Sequence, residues 1–322
     1  MEGVISLAMT LFLTGGTGFF GRSLLRYWIA NPSPLTSNIT ILSRHPDRFK
    51  GECPDLAAIK GLTILAGDIL DPLTYPPAQD VTHVIHAATD STTGPALSPM
   101  IRATQIVEGT RRVLEWAQSG SIQRVLLTSS GAIYGPQPWQ LDGVSETYQG
   151  APDPLNPHHV YANSKRYAEH LCALVAAESS VSVVVARCFA FVGRDLPREA
   201  HFAIGNFIHD ALNGRDILVK GDGTSIRSYM DQNDLARWIT HLLQWGESGR
   251  AYNVGATQAI CMKELAHLVR DLFNPGGHVH IEASPDAPPA TRYVPDTTAA
   301  RQLGLTETVT LPKAILSAGA FP

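Results

Sequence analysis

Tyr161 and Lys165 stand four residues apart in Tyr161-Ala-Asn-Ser-Lys165, at the start of a helical pattern over Tyr161–Ala177. Residues i and i+4 share one helix face, so the phenol and the ammonium are neighbours. A phenol alone titrates near ~10, too high for base work at neutral pH. An ammonium beside it favours the phenolate and lowers that value, which makes the pair a proton-transfer group. A second run of interest is Leu126-Leu-Thr-Ser-Ser-Gly-Ala-Ile-Tyr-Gly135, an apolar strand that ends in hydroxyl residues. Parallel sheets open their ligand crevice at such strand ends. Ser130 is placed there to donate to, or accept from, a substrate oxygen beside Tyr161. Thr128 and Ser129 read as ordinary strand-end residues.

The other chemistry-bearing run is Thr14-Gly-Gly-Thr-Gly-Phe-Phe-Gly21, which follows a strand and opens a helix. Gly15, Gly18 and Gly21 have GxxGxxG spacing, with Gly16, Thr17, Phe19 and Phe20 between them. Glycine suits a tight turn whose backbone N–H groups approach a pyrophosphate, and the helix N-terminus adds a partial positive charge. The last glycine permits close helix–strand packing. Three glycines alone are weak; after the first strand of a βαβ unit they predict dinucleotide binding. The second strand ends in Ser43-Arg44, with no carboxylate for the ribose hydroxyls of NAD. Arg44 can instead pair with a 2′-phosphate, which favours NADP(H) over NAD(H). Asp68, followed by Ile69 after the third strand, can accept from an adenine amino group; it reads almost as well as a turn or cap aspartate.

These residues need a scaffold, and the chain supplies one. The expected strands are Thr10–Thr14, Asn38–Leu42, Leu62–Ala66, Val81–His86, Arg124–Ser129 and Val181–Arg187. Between them lie helical patterns over Gly21–Ala30, Ile101–Gln118 and Tyr161–Ala177. Continuous apolar strands alternating with helices predict an α/β fold, a Rossmann-type doubly wound parallel sheet. Past residue 190 come short segments, loops, two helical patterns (Asn233–Trp245 and Met262–Phe273) and a Pro-rich stretch, Ser284–Pro295. The expected division is a dinucleotide-binding domain over 1–190, with a segment near 225–255 returning to it, and a smaller substrate-binding lobe, mainly 191–322. The 322 residues fit one large α/β unit or two fused lobes, and 44% hydrophobic content is enough for a core.

A net charge of −4 offers no basic surplus for a phosphate backbone, so nucleic acid is not an expected partner. No run of about 18 apolar residues appears, so no membrane span is expected. Residues 1–9 carry Glu2 and no basic start, which argues against a secretory signal. Cys53, Cys172, Cys188 and Cys261 show neither CxxC spacing nor a disulfide ladder. A reduced, cytoplasmic, metal-free protein is the expectation.

Gly15–Gly21, His86-Ala87-Ala88, Ser130 with Tyr134-Gly135, and Tyr161/Lys165 together resemble the short-chain dehydrogenase/reductase superfamily. The match is to its extended branch of NAD(P)-dependent nucleotide-sugar epimerases, dehydratases, decarboxylases and reductases. Arg187–Gly193, Gly221–Asp231 and Arg292–Asp296 resemble further segments of that branch, so the likeness spans nearly the whole chain. The resemblance implies that Ser130, Tyr161 and Lys165 form the catalytic triad. Tyr161 and Lys165 also touch the cofactor, as do His86, Ala87 and Ala88. It further implies that Arg227 and Arg292 grip a nucleotide-sugar diphosphate, which suits guanidinium geometry. Gly131, Asp90 and Asn206 are expected against the sugar, with Ser91, Thr92 and His201 as further polar candidates. Ala190 stands where family members often carry Asn. The family's helices corresponding to Ile101–Gln118 and Tyr161–Ala177 form a two-fold seam, so a homodimer is expected.

One departure bears on the reaction. The 4,6-dehydratases carry an Asp-Glu pair directly after the catalytic hydroxyl residue; here those positions are Gly131 and Ala132. The acid and base for eliminating water are missing. Together with Ser43-Arg44 this favours a net reductase that uses NADPH on a nucleotide-linked 4-keto-6-deoxyhexose at C4. The alternative is an NAD-dependent nucleotide-sugar 4-epimerase using the same residues. A reading of another class is a redox-sensing dinucleotide-binding protein without turnover, against which the retained Tyr161/Lys165 pair speaks.

Overall fold

Apolar residues of the first strand alternate in the partners they meet. Leu11 and Leu13 pack with Leu24, Leu25 and Trp28, whereas Phe12 packs with Val113, Leu114 and Ala117. A strand buried on both faces must lie inside a helix–sheet–helix sandwich. A computed structural model describes residues 9–89, 96–200, 202–283 and 290–320. The first half runs β1 (Leu11–Thr14), α1 (Phe19–Ala30), β2 (Ile39–Ser43), α2 (Pro46–Glu52), α3 (Pro54–Ala57), β3 (Leu62–Ala66), β4 (His83–His86), α4 (Pro99–Gln118), β5 (Arg124–Ser130), α5 (Val160–Glu178) and β6 (Ser182–Cys188). The second half runs β7 (Phe191–Val192), α6 (Ala203–Leu212), β8 (Ile217–Lys220), β9 (Ile226–Arg227), β10 (Met230–Asp231), α7 (Gln232–Trp245), β11 (Ala251–Val254), β12 (Ile260–Cys261), α8 (Met262–Phe273), β13 (Val279–Glu282), β14 (Arg292–Tyr293), α9 (Thr298–Gln302) and α10 (Leu311–Gly319).

The main sheet has seven strands in the order β11-β6-β5-β4-β1-β2-β3, all parallel. The chain leaves β1 towards β2 and β3, then crosses back to β4 on the other side. That reversal opens a crevice beyond the carboxyl ends of β1 and β4, where ligands bind in such folds. On one face α1 and α7 pack together and bury Trp28, Trp238 and Leu242 against the sheet. On the other face α4 and α5 pack together and bury Val113, Leu114, Ala168 and Cys172. The fold is therefore the Rossmann-type doubly wound α/β sheet that the alternating pattern predicts. A separate apolar cluster of α6, α8 and α10 with β8 surrounds Phe207, Ile208, Leu265 and Ile315.

The elements differ from the sequence expectation where they are short. α2 and α3 lie between β2 and β3, where no helix was expected; both start on a proline, Pro46 and Pro54, at a position that costs the helix no hydrogen bond. α6 carries Asn206, which the sequence placed in a loop region. Among the described residues no helix is long and apolar enough to cross a membrane.

Candidate active site

The glycine turn is held by backbone. Gly15 has φ +74°, and a Cβ there would lie 2.5 Å from the Ala87 carbonyl oxygen. A Cβ on Gly16 would lie 2.7 Å from Ile41, and one on Gly21 would overlap the Gly16 backbone. Gly18 differs: a Cβ would meet only the Gly15 oxygen, at 3.5 Å. The protein's own packing does not demand glycine at 18, so the open space belongs to whatever approaches from outside. Gly18 is also the N-cap of α1, with no side-chain cap and no acidic residue in the first turn. The first N–H groups of α1 thus face the crevice without a side-chain acceptor, the arrangement that binds phosphate.

Above this turn lies a cavity. Gly15, Thr17, Gly18, Phe19 and Phe20 line it on one side, and Ser43, Arg44, Asp68 and Ile69 on another. Ala87, Ala88, Thr89 and Gln105 also line it. The residues fit a dinucleotide: a cradle of backbone N–H groups, an apolar floor and a cation at the end of β2. Asp68 lines the cavity and also closes a turn, its Oδ1 accepting the Leu70 N–H at 2.8 Å. The turn reading of Asp68 is thus observed, and its place on the cavity wall leaves it within reach of a bound ligand. A shallow hollow beside Arg44 also holds His45 and Arg48.

Some expected cofactor residues stand elsewhere. Gly16 and Gly21 serve helix–strand packing. The His86 ring bridges Thr14 Oγ1 at 2.7 Å and Thr110 Oγ1 at 3.1 Å, and burial pushes its imidazole down to about 3. That ring ties β1 to α4 and is not part of the cavity wall. Leu42, Gly67, Thr89 and Gln105, which also line the cavity, were missed by the sequence reading. A signal for Gln105 existed: it is a polar residue on α4 one turn before the inward-facing Gly109 and Thr110.

At the other end of the crevice β5 and α5 converge. Ser130 is the last residue of β5; Tyr161 and Lys165 occupy the first turns of α5. The buried Lys165 donates to the Thr128 carbonyl oxygen at 2.7 Å. Burial lowers it to about 8, so it stays protonated at neutral pH. Burial raises the Tyr161 phenol; the Ser130 hydroxyl, hydrogen-bonded to it, and the Arg102 guanidinium oppose that rise. Arg102 lies 4.6 Å from the Tyr161 ring centroid. The expectation that Lys165 acidifies Tyr161 is therefore incomplete: Lys165 is anchored to Thr128, and the cation stacked on the phenol is Arg102.

The Ser130 oxygen is shared further. It accepts the Ala132 N–H at 3.2 Å and lies 3.4 Å from the Tyr293 hydroxyl. Tyr293 also donates to the Cys188 carbonyl oxygen at 3.3 Å and stacks on Phe189 with centroids 4.6 Å apart. Tyr293 was missed because it sits next to Arg292, which drew the sequence reading. Gly131 is explained by the same aromatic wall: a Cβ there would lie 2.7 Å from the Phe189 ring. Ser129 and Thr128 are tied into the sheet, Ser129 donating to Glu169 at 2.5 Å and Thr128 to the His86 carbonyl at 3.3 Å.

The two tail arginines do not converge. β14 pairs with β9 so that Tyr293 faces Arg227 and Arg292 faces Ile226. Paired positions share a face and successive residues alternate, so Arg227 and Arg292 lie on opposite faces. Arg227 donates to the Thr291 hydroxyl at 2.7 Å and stands 5.9 Å from the Tyr293 ring, on the reacting side. Arg292 turns to Asp142, 3.1 Å away. The two arginines therefore do not face one pocket together, as the expected joint grip on a diphosphate would need. Asn206 is half-buried on α6. Asp90, with Ser91, Thr92 and His201, lies outside the described residues.

A family model described as the NAD dependent epimerase/dehydratase family matches residues 11–255. UDP-glucuronic acid decarboxylase 5 of Arabidopsis thaliana is 26% identical over 304 residues, covering 92% of this chain and 83% of that protein. The structure of dTDP-glucose 4,6-dehydratase from Bacillus anthracis with NAD aligns with TM-score 0.81 at 18% identity, covering 97% of this chain and 96% of that one. UDP-glucuronic acid 4-epimerase from Bacillus cereus, in complex with UDP-glucuronic acid and NAD, aligns with TM-score 0.81 at 20% identity, covering 97% and 98%. At these identities the structural likeness speaks for the fold.

Proposed function

The chain belongs to the NAD dependent epimerase/dehydratase family, and we propose that it is an oxidoreductase of a nucleotide-linked sugar, reducing a 4-keto-6-deoxyhexose at C4 with NADPH. The observation that carries this reading is the chemistry beside Ser130. The Phe189 ring leaves no room for a side chain at Gly131, and Ala132 carries none that ionises. Tyr161, Ser130 and Lys165 can move a proton to or from one oxygen, but no acid–base pair stands there to eliminate water. Dehydration is disfavoured and simple carbonyl–alcohol exchange remains.

When bound, the nicotinamide supplies the hydride to the carbonyl carbon. Tyr161 gives its proton to the carbonyl oxygen as charge develops there, and Ser130 donates a hydrogen bond to the same atom. Lys165, protonated and anchored on Thr128, supplies a fixed positive charge at the proton donor's helix face. Arg227, half-buried and without a carboxylate partner among the described residues, suits a phosphate of the nucleotide. Arg44 supports NADP(H): it lines the cavity at the end of β2, where its guanidinium suits a 2′-phosphate. Arg44→Ala should weaken NADPH about tenfold and leave NADH unchanged in fluorescence titration; equal losses would remove the argument for NADP.

In this reading residues 1–190, with the returning segment near 225–255, hold the dinucleotide, and 191–322 mainly hold the sugar. Met100 and Ile101 on α4 and Tyr167 and Leu174 on α5 are exposed apolar side chains. They support a two-fold homodimer through these helices, which light scattering tests. Cys53, Cys172 and Cys188 are buried free thiols, in keeping with a reducing cytoplasm.

A second reading is an NAD-dependent 4-epimerase, which would use the same Ser130, Tyr161 and Lys165 and likewise needs no acid–base pair at positions 131 and 132. The test is incubation with dTDP-4-keto-6-deoxyglucose and NADPH, followed at 340 nm, beside UDP-glucose and UDP-glucuronic acid with NAD, followed by NMR. Consumption of NADPH with a reduced sugar product supports the reductase. Epimerised UDP-sugar without NADPH consumption overturns it.

A further inference from the structure

Four elements bring polar or titratable groups to Tyr161: β5 contributes Ser130, β6 Cys188, β14 Tyr293 and α4 Arg102, while Lys165 follows it on α5. Burial pushes the Cys188 thiol up to about 12 and raises the Tyr293 phenol, so both are neutral at neutral pH. Among the described residues the cations that these elements bring to the cluster are Lys165 and Arg102. The ammonium of Lys165 is held by the Thr128 carbonyl, whereas the guanidinium of Arg102 lies 4.6 Å over the Tyr161 ring.

The position of Arg102 is not explained by its own helix. It sits in the first turn of α4, after the Ser98 cap and Pro99, and that turn carries no acidic residue. A cation at a helix N-terminus meets the positive end of the dipole and is unfavourable there. Arg111, further along the same helix, behaves as a helix arginine does and pairs with Glu108 and Glu115. Arg102 lies against α5, with its guanidinium over the ring of Tyr161. A guanidinium over an aromatic face is attracted by the ring, and the attraction grows when that ring gains negative charge.

We propose that Arg102 is a second cationic partner of Tyr161, a positioning residue that holds the phenol ring and favours its ionised form. This deepens the reading in which Tyr161 transfers the proton at the sugar oxygen and rests on it, since only then does the ionised phenol matter to turnover. Arg102 comes from α4 and Tyr161 from α5, so the packing of these two helices brings the guanidinium to the phenol.

The experiment needs no substrate, so its outcome is separable from that of the reductase assay. The ionisation of Tyr161 is isolated as the 295-nm absorbance titration of the wild type minus that of Tyr161→Phe. The same difference is taken for Arg102→Gln or Arg102→Met, whichever gives the native circular dichroism spectrum, and for Arg102→Lys. The charge-free variants should move the Tyr161 step to higher pH by about 0.5–1.5 pH units, roughly a 3- to 30-fold change in the ionisation constant. Arg102→Lys should stay closer to the wild type than to the charge-free variants. Coincident steps in the wild type and the charge-free variant overturn the proposal, even if the protein reduces a sugar. A displaced step upholds it, even if no nucleotide sugar is turned over.

Discussion

Gly15 and Gly18 sit three residues apart in one turn and should respond to the same substitution in opposite ways. At Gly15 an alanine would have to adopt φ +74°, at a cost of roughly 1 kcal/mol relative to glycine. Its Cβ would also lie 2.5 Å from the oxygen and 2.6 Å from the carbon of the Ala87 carbonyl. Ala87 follows β4, so neither side of this contact is a flexible side chain, and overpacking adds about 1–3 kcal/mol. Gly15→Ala should therefore destabilise the fold by about 2–4 kcal/mol. At Gly18 the backbone has φ −84° and ψ −178°, which any residue adopts, and the nearest atom to a Cβ is 3.5 Å away. Gly18→Ala should change stability by less than about 0.5 kcal/mol. Its methyl group would nonetheless stand where a pyrophosphate approaches the N–H groups of α1, so dinucleotide affinity should fall at least about tenfold, or about 1.4 kcal/mol. Urea unfolding with an unchanged m-value measures the first effect, and quenching of protein fluorescence by NADPH measures the second. A Gly15→Ala protein as stable as the wild type would refute the steric reading of the turn. Unchanged affinity in Gly18→Ala would refute the placement of the phosphates.

Two further outcomes follow from the interior. His86 is held neutral, its imidazole pushed by burial to about 3 against 6.5 in the unfolded chain. Between these values the unfolded state binds the extra proton, so stability is complete above 6.5 and falls as the pH drops through this window. At pH 5 the loss from this one group is about 2 kcal/mol; urea titrations at pH 7 and 5 should show that slope in the wild type and not in His86→Gln, and equal slopes would contradict it. Tyr293→Phe keeps the stacking on Phe189 but removes the hydroxyl near Ser130 and its bond to the Cys188 carbonyl, so stability should drop by about 1 kcal/mol. In the same variant kcat/KM should fall about three- to tenfold with cofactor affinity unchanged, and an unaltered kcat/KM would exclude Tyr293 from the reacting end.

What the sequence disclosed follows from the range of the forces involved. Strands β1 to β6 and helices α1, α4, α5, α7 and α8 are apolar patterns, set by burial against immediate neighbours, and were legible within a residue or two, whereas the seventh strand of the main sheet, β11, was not among the expected strands. The glycine turn was legible because its requirement is local: Gly15 has a positive φ that glycine alone adopts freely. The cavity residues Gly15, Thr17, Gly18, Phe19 and Phe20, with Ser43, Arg44, Asp68, Ile69, Ala87 and Ala88, were named from motifs and the family resemblance. The side-chain directions were not legible. Whether the His86 ring enters the cavity or bridges Thr14 and Thr110 depends on a residue of α4 24 positions further along the chain. Arg227 and Arg292 looked equivalent until the pairing of β9 and β14 put them on opposite faces. Arg102 and Tyr293 reach Tyr161 and Ser130 from elements distant in sequence, 59 residues before Tyr161 in one case and 163 after Ser130 in the other. No spacing within a segment encodes such contacts.

The account stands on the phenol of Tyr161 as the group that exchanges a proton with the sugar oxygen. A single-turnover measurement tests it: protein loaded with NADPH is mixed with dTDP-4-keto-6-deoxyglucose, and the loss of 340-nm absorbance is followed for the wild type and for Tyr161→Phe. The variant should hold NADPH within twofold of the wild-type affinity and react about 10²- to 10⁴-fold more slowly. A Tyr161→Phe protein that consumes NADPH at the wild-type rate would contradict the account.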